Sequence, residues 1–270
     1  GKGPDCVLQQ ARTTPVNLAM RGGLYDLSRF DDFSTVINRF MPDATVPYQY
    51  KGGCYALPDS QNFYMLFYRT DIFESLGLTP PKTWDEFINV STILQRNKLQ
   101  SYLPLTQIND IHAVDVGVGG LSLFPSILMQ RGLSLYTDDL KATTLSSPET
   151  IDAFRFWMEF RTRYKIPVSM DFYNRFRVGT APMGISLYTL YNTLTAAAPE
   201  IDGRWAIAPI PGTKREDGTI NMTQTGSGTG CSILSFSSKK EEAWEFLKWW
   251  TSAETQASYS TNVESILGPV

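Results

Sequence analysis

The segment from Tyr48 to Ile88 constrains the fold most strongly, because strand-like and helix-like patterns follow one another within it. A nearly unbroken apolar run, Phe63 to Tyr68, predicts a strand that is buried on both faces. A shorter strand is predicted at Cys54 to Leu57 and ends at Pro58, which leaves the polar residues 59–62 between two buried strands. Burying polar groups without hydrogen bonds costs free energy, so we expect something polar to lie against these residues.

Two helices are predicted after the apolar run. The first ends at Gly77, because glycine most readily takes the left-handed conformation of a helix end. Pro80 and Pro81 follow it and cannot continue the helix. The second begins with a capping box, in which the Thr83 hydroxyl and the Glu86 carboxylate accept hydrogen bonds from unpaired backbone N–H groups.

Three further helices are predicted elsewhere, one of them over residues 31–40. Another begins at Ser147 with Pro148 in its first turn, and the last begins with a cap formed by Ser238 and Glu241. Apolar residues at helical spacing predict the buried stripes of these two helices, which are Ile151, Phe154, Trp157, Met158 and Tyr164, and then Ala243, Phe246, Leu247 and Trp250. A charged hairpin is predicted at Lys214 to Asn221.

Size and charge limit the class of protein. The chain has 270 residues, a length at which two lobes are expected in place of one core. Its net charge of -3 provides no basic surface for nucleic acid or an anionic membrane. No apolar run approaches the roughly 18 residues of a membrane span, and no charged-then-apolar leader is present. We therefore expect a chain that neither spans a membrane nor carries its own signal peptide.

Metal and cofactor sites are not predicted. The three cysteines, Cys6, Cys54 and Cys231, lack the spacing of a zinc site and are accompanied by a single histidine. All three lie in predicted strands. Either they are buried thiols that act as small apolar residues, or two of them form a disulfide and one is spare.

The motifs of common enzymes are largely missing from the sequence. The one histidine, His112, is either a loop residue at the surface or a hydrogen-bonding contact to a ligand. The glycine-rich residues 225–230 lack the lysine of a phosphate-binding loop and precede a predicted strand, so we interpret them as a flexible hinge or as backbone close to a ligand. Adjacent acidic residues are interpreted as solvated, and no acid/base pair stands out.

Five segments follow one another in a characteristic order, namely Gly1 to Val7, Gly22 to Leu27, Tyr48 to Ile88, Phe176 to Ile185, and Lys239 to Gln256. Their order resembles that of the family 1 extracellular solute-binding proteins of bacterial ABC importers. The resemblance covers essentially the whole chain.

The resemblance implies an α/β fold of the type II periplasmic-binding-protein-like kind, with two lobes joined by crossing hinge strands. The first lobe is expected at residues 1–62 plus 226–260, and the second at residues 63–225. Compared with the family, the chain lacks a leading βαβ unit and the C-terminal helices. We therefore expect a fragment whose first lobe is incomplete.

The resemblance also implies the function. We expect the substrate-binding component of an ABC importer, which binds a carbohydrate, an oligosaccharide in particular, in a cleft between the lobes and passes it to the permease subunits in the membrane. It would be a monomer with no cofactor and no nucleic-acid partner, lipid-anchored outside the cytoplasmic membrane or periplasmic. The alternatives are a carbohydrate-active enzyme and a glycan-sensing surface protein without a transport role.

Candidate ligand-binding residues are of two kinds. A sugar ring has an apolar face that stacks on aromatic rings and a hydroxyl rim that bonds to amides. Tyr188 and Tyr191 follow the strand that resembles the family's cleft-lining one, and Tyr188 is the predicted stacking residue because Tyr191 shares helical spacing with Leu187, Leu190 and Leu194. The candidates for the rim and the nearby backbone are Gln9, Gln10, Arg12, Gln61, Asn62, Gln107, Asn109 and Ser227.

Overall fold

The computed structural model describes residues 3–104, 123–167 and 169–267. The chain divides into two compact units, which we call unit 1 (Gly1–Asn62 with Gly226–Val270) and unit 2 (Phe63–Thr225). Within the described ranges, no helix combines the length and the apolar character needed to cross a bilayer.

Helices and strands alternate along most of the chain. The helices are α1 (Thr14–Met20), α2 (Phe33–Ile37), α3 (Pro42–Thr45), α4 (Thr70–Ser75), α5 (Trp84–Arg96), α6 (Phe124–Gln130), α7 (Pro148–Thr162), α8 (Phe172–Arg177), α9 (Leu190–Ala197), α10 (Lys240–Trp250) and α11 (Ala253–Leu267). The strands are β1 (Cys6–Ala11), β2 (Gln49–Tyr50), β3 (Gly53–Cys54), β4 (Leu57–Asn62), β5 (Tyr64–Arg69), β6 (Ser101–Tyr102), β7 (Met183–Leu187), β8 (Trp205–Ala208), β9 (Thr213–Lys214), β10 (Ile220–Asn221) and β11 (Ser227–Ile233).

Unit 1 is organised around a three-stranded antiparallel sheet in the order β1-β11-β4. The central strand β11 carries the fully buried Cys231 and Ile233 into a core that also contains Leu57. Helix α10 contributes Trp244 to this core. The Trp244 ring stacks on the Phe30 ring, with centroids 4.6 Å apart and planes 3° from parallel. Strand pairing across long sequence separations therefore builds this unit.

Unit 2 is organised around a mixed four-stranded sheet in the order β6-β7-β5-β8, in which β6 runs parallel to β7. The prediction that the apolar run is buried on both faces is confirmed for β5. Leu66 packs into one hydrophobic cluster with Phe87 and Trp157, whereas Phe67 packs into another with Phe172. Successive side chains of a strand point to opposite faces, so β5 joins two cores.

The boundaries of the two strands around the polar patch differ from the prediction. Pro58 does not end a strand, because β4 begins at Leu57 and continues through the polar residues to Asn62. Proline is tolerated there because β4 lies at the edge of its sheet and its register with β11 shifts beside Pro58. Phe63, predicted as the first buried residue of the apolar run, precedes β5 and is 36% exposed.

The predicted buried stripes of α7 and α10 are partly wrong. In α7 the buried positions are Thr150, Ala153, Trp157 and Phe160, whereas Phe154 is 42% exposed and Ile151 is exposed as well. In α10 the buried residues are Ala243, Trp244 and Leu247, while Phe246 is 38% exposed. Each helix has apolar residues around more than one face, and packing partners far away in sequence decide which face is buried.

Helix starts follow the predicted caps in two of three cases. Thr83 Oγ1 accepts a hydrogen bond from Glu86 N at 3.2 Å, but the Glu86 carboxylate accepts one from Lys82 N and not from the cap residue. Ser147 Oγ accepts one from Thr150 N at 3.2 Å, which confirms that cap.

The third predicted cap is wrong. No side chain caps α10, which begins at Lys240, and it is Ser237 Oγ that accepts a hydrogen bond from Lys239 N at 3.0 Å. The helix expected over residues 31–40 is the shorter α2. The predicted hairpin is confirmed, because β9 pairs with β10 and the intervening Gly218 has φ of 85°.

Candidate functional site

Three strand segments of unit 1 place most of the predicted rim residues at one end of one sheet. Ala11 of β1 pairs with Thr229 of β11, and Thr229 pairs on its other side with Ser60 of β4. Gly228 and Ser227 continue the pairing with β4. We call this end, made of residues 9–12, 59–62 and 227–229, the polar strand end. It contains the candidates Gln9, Gln10, Arg12, Gln61, Asn62 and Ser227.

The side chain of Asp59 links the strands of the polar strand end. Its Oδ2 accepts a hydrogen bond from the Gln9 backbone N–H at 2.8 Å, and its Oδ1 accepts one from the Thr229 hydroxyl. Thr229 Oγ1 in turn lies 2.6 Å from Ser60 Oγ. One carboxylate thus connects all three strands through backbone and hydroxyl donors.

Gln10 lies beneath this surface. Its side chain is 9% exposed, and its Oε1 finds no hydrogen-bond partner among the described residues. Tyr48 is also buried, and burial followed by the nearby Asp59 carboxylate raises the pKa of Tyr48 to about 12, while the Arg12 guanidinium opposes the shift. The tyrosine therefore stays protonated near neutral pH and is a neutral hydrogen-bonding group.

Arg12 is tied to its own unit. Its Nη1 donates to the carbonyl oxygen of Gly226, and its backbone N–H donates to Gly228 O at 3.1 Å. Its side chain is half-buried. The polar strand end contains one cation, Arg12, and one anion, Asp59, so its residues carry a net charge of zero.

The argument that the polar patch is buried is wrong for Gln61. On the edge strand its side chain is exposed, whereas Asn62 is half-buried and Ser227 is exposed. An edge strand has one side facing solvent, so Gln61 needs no ligand to satisfy its amide. Both amides nevertheless lie at the polar strand end, opposite Gly228 and Ser227.

Most of the glycine-rich segment forms a strand, and the boundary between the two units falls at its start, between Thr225 and Gly226. Residues 227–230 belong to the central strand β11. A side chain at Gly228 would overlap the backbone carbonyl oxygen of Ser60, and one at Gly230 would lie 3.0 Å from the Tyr48 ring. These glycines permit close approach of the protein's own strands and ring, which accounts for them without a ligand.

The candidate surface of unit 2 is a row of aromatic rings, Phe63, Tyr188, Tyr191 and Trp205, which we call the aromatic row. Tyr188 stacks on Phe63 with centroids 5.3 Å apart and planes 19° from parallel, and on Tyr191 at 5.7 Å and 14°. Tyr191 meets Trp205 edge to face at 5.3 Å and 67°. Three nearly parallel rings thus stack in series, and the most exposed of them, Phe63, lies at the end of the series.

The two tyrosines differ in what supports them. Tyr191 packs against the buried cluster that contains Leu194 and Phe67, as expected from helical spacing. Tyr188 lies in the connection between β7 and α9, and its backbone N–H donates to Phe63 O at 2.8 Å. Both side chains are half-buried. The predicted distinction between a supporting Tyr191 and a more peripheral Tyr188 thus has a structural basis, while their binding role stays a prediction.

Three sequence candidates lie outside the described residues, namely Gln107, Asn109 and His112. Two residues that the sequence reasoning missed lie within the candidate surfaces. Asp59 was predicted only as part of a polar patch, although the alternation of side chains along β4 could have singled it out. Phe63 was assigned to the buried strand, although it lies where the polar residues 59–62 give way to the apolar run.

Metal and thiol chemistry have no counterpart in the described parts of the chain. No group of three or more His, Cys, Asp or Glu side chains is placed there to hold a metal ion. The three cysteines are free thiols. Burial raises the pKa of Cys54 to about 11 and also raises the pKa of Cys231, so these two act as small apolar residues.

A depression of about 420 Å³ in unit 2 is a weaker candidate. It lies at the start of α5 and is bordered by Asp85, Arg131 and Lys214. Arg131 donates to Asp152 at 2.9 Å and lies over the Phe156 ring at 4.8 Å, so its charge is already balanced. No buried unpaired group of the described chain borders it.

Solved structures share this fold. Maltose-bound MalE3 of T. maritima is 23% identical and has a TM-score of 0.73 over 97% of this chain and 66% of its own. UgpB from Mycobacterium tuberculosis, in complex with glycerophosphocholine, is 20% identical with a TM-score of 0.74 over 100% of this chain and 65% of its own. At these identities the likeness establishes the fold, which is that of the predicted periplasmic-binding-protein-like class.

Comparison of sequences also identifies relatives of this chain. The maltotriose-binding protein of Pyrococcus abyssi (strain GE5 / Orsay) is 26% identical over 239 residues, which are 83% of this chain and 46% of that protein. The chain spans about half the length of the curated relatives it matches. The profile of the bacterial extracellular solute-binding proteins matches residues 1–270. The chain therefore belongs to the family of bacterial extracellular solute-binding proteins.

Proposed function

We propose that this protein is the substrate-binding component of an ABC importer and binds a neutral carbohydrate, an oligosaccharide in particular. The observation that carries the proposal is the aromatic row, with Phe63 36% exposed and stacked on Tyr188. The C–H face of a pyranose is apolar and flat, and it stacks on such rings. The polar strand end supplies amides and hydroxyls, which pair with sugar hydroxyl groups as donors and acceptors.

The charge of the polar strand end favours a neutral ligand over an anionic one. A structural neighbour binds glycerophosphocholine, so a phosphodiester is the natural competitor. The one cation of the polar strand end, Arg12, is matched by the one carboxylate, Asp59, which would repel a phosphate. The names of other relatives point to sugars, since they are maltotriose-binding or maltose-bound proteins.

In this proposal the protein performs no covalent chemistry. It binds its ligand outside the cytoplasmic membrane, as a lipid-anchored or periplasmic monomer, and passes it to the permease subunits. The residues proposed to contact ligand are Gln9, Arg12, Gln61, Asn62, Phe63 and Tyr188. Gln10, Tyr191 and Ser227 are proposed to support them.

A thermal-shift screen tests the proposal. Neutral mono- and oligosaccharides are compared with phosphorylated sugars and glycerophosphodiesters, and hits are measured by calorimetry. A ligand at 100 times its dissociation constant should stabilise the protein by about 2.7 kcal/mol. Stabilisation by a neutral oligosaccharide is expected, whereas binding confined to phosphorylated compounds would contradict the proposal.

Two controls separate the remaining alternatives. Incubation of the protein with the bound glycan, followed by chromatography, should return the glycan intact, and cleavage products would favour a carbohydrate-active enzyme. Uptake of labelled glycan by cells that carry the permease should require the protein. Binding without any effect on uptake would favour a glycan sensor.

A further inference from the structure

Gln9 has an unusual backbone conformation for its place in the fold. Its φ is 52°, and among the described non-glycine residues with positive φ it is the one that lies inside a strand. The others, Lys51, Lys98, Leu140 and Lys165, lie in turns or loops. A side chain with a β-carbon makes this conformation unfavourable, and such residues persist where the surroundings hold them in place.

The strand pairing explains why the Gln9 backbone N–H needs a hydrogen-bond acceptor outside the strand ladder. Val7 pairs with Ser232 and Gln10 pairs with Gly230, so two residues of β1 face a single residue of β11. Such a bulge takes a backbone N–H out of the regular ladder. The freed N–H of Gln9 donates instead to the Asp59 carboxylate at 2.8 Å.

A second bulge places the carboxylate where it can accept this bond. Ser60 pairs with Thr229 and Pro58 with Gly230, which leaves Asp59 of β4 without a cross-strand partner. Because β11 lies between β1 and β4, the bond from Gln9 to Asp59 crosses the central strand. The Thr229 hydroxyl donates to the same carboxylate and orients it from β11.

We propose that Asp59 is a positioning residue of the carbohydrate site, which holds Gln9 in its left-handed conformation and so directs the exposed Gln9 side chain toward a ligand hydroxyl. This inference rests on the proposed function. Each Asp59 carboxylate oxygen already accepts one hydrogen bond, from the Gln9 N–H or from the Thr229 hydroxyl, and the proposal assigns the ligand contact to Gln9. A hydrogen bond to a charged carboxylate is stronger than one between neutral groups.

The test is a double-substitution cycle on the whole chain. Asp59→Ala should weaken binding of the glycan identified by the screen about tenfold, the effect of losing one charge-assisted bond. In the Gln9→Ala background the same change should weaken binding less than about twofold, because the two residues act as one unit. Asp59→Asn keeps an oxygen acceptor for the Gln9 N–H and should restore most of the affinity.

A ligand-independent measurement separates the inference from the proposed function. Exchange of the Gln9 amide proton, followed by NMR, should be slow in the unaltered protein and in Asp59→Asn, and fast in Asp59→Ala. Asp31→Ala, which removes an exposed carboxylate of the same unit, should change neither exchange nor affinity. If no glycan binds the unaltered protein, the proposed function fails, and the exchange result still decides whether Asp59 holds Gln9.

Two outcomes would overturn the inference. One is an equal loss of affinity from Asp59→Ala in both backgrounds, which would mean that the carboxylate acts on the ligand or on the whole fold. The other is unchanged exchange of the Gln9 amide in Asp59→Ala. If Asp59→Ala does not fold, Asp59→Asn carries the test, and tenfold weaker binding by that variant with an intact melting temperature would also overturn it.

Discussion

Phe63 and Tyr188 are joined through both backbone and side chain. The Tyr188 N–H donates to the Phe63 carbonyl oxygen at 2.8 Å, and the two rings stack with centroids 5.3 Å apart. The pair continues the antiparallel ladder in which Tyr64 faces Leu187. Cross-strand pairs of this kind hold both rings in a defined geometry.

Phe63→Ala should weaken glycan binding and lower stability only modestly, by about 1 kcal/mol from the lost stacking on Tyr188. The ring is partly exposed, so its removal takes away a stacking surface worth about 1 kcal/mol or more without opening a core cavity. Calorimetry and thermal melting of the variant measure the two effects. Phe154→Ala removes a similarly exposed ring of the same unit that is outside the aromatic row, and it should leave affinity unchanged.

Tyr188 and Tyr191 should respond differently to replacement by alanine. Tyr191 packs on the cluster around Leu194 and on Trp205, so Tyr191→Ala should lower the free energy of unfolding by about 2 kcal/mol. Tyr188→Ala should mainly reduce sugar affinity, by about 1 kcal/mol. Tyr191→Phe keeps the ring and should retain stability. The opposite pattern would exchange the two roles.

Replacing Gln61 and Asn62 together by alanine should weaken binding by about 1 to 3 kcal/mol, because two amides of the polar strand end are lost. The fold should survive, since Gln61 is exposed and β4 is an edge strand. Parallel binding and melting curves check this. Normal binding combined with a much lower melting temperature would show that the patch serves the fold alone.

Gly228→Ala should destabilise unit 1. The new methyl group would overlap the Ser60 carbonyl oxygen, which belongs to the backbone and cannot rotate away, so a cost of about 1 to 3 kcal/mol is expected. Gly226→Ala is the matched control, because its methyl group would lie 3.5 Å from the Asn62 carbonyl oxygen, an ordinary contact. Denaturant unfolding of both variants should separate them, and equal stabilities would contradict the tight pairing of β11 with β4.

Unit 1 should lose stability in acid, because Asp32 is protonated there and loses its charge. Hydrogen bonds from Lys248 and then from Trp244 hold the pKa of Asp32 below its usual range. A carboxyl whose pKa is lower in the folded state adds stability above its unfolded pKa, about 4, and this stability is lost as the pH falls through the folded pKa.

Asp32→Asn is therefore expected to reduce stability at neutral pH and to have little effect in strong acid. The reduction should be about 1 kcal/mol or less, because the pair with Lys248 is partly exposed and screened by solvent. Asp31→Asn, at the exposed neighbouring position, should change stability at neither pH. A difference that stays constant across the pH range would contradict the role of the charge.

Several local features followed from the sequence because short stretches of chain determine them. The burial of β5 on both faces followed from the unbroken apolar run, since only a strand with cores on both sides tolerates it. The caps at Thr83 and Ser147 and the hairpin turn at Gly218 followed from side chains within a few residues of the backbone they serve. The order of motifs likewise predicted the family to which the chain belongs.

Tertiary structure alone decided the geometry of the candidate surfaces. The bond between Gln9 and Asp59 joins residues 50 positions apart and depends on two bulges beside the same central strand, which no local pattern specifies. Burial of Trp244 in place of Phe246 depends on its stacking with Phe30, far away in sequence. Local propensities determine where strands and helices begin, whereas the register between distant strands determines which side chains meet, because that register is set by packing of the whole unit.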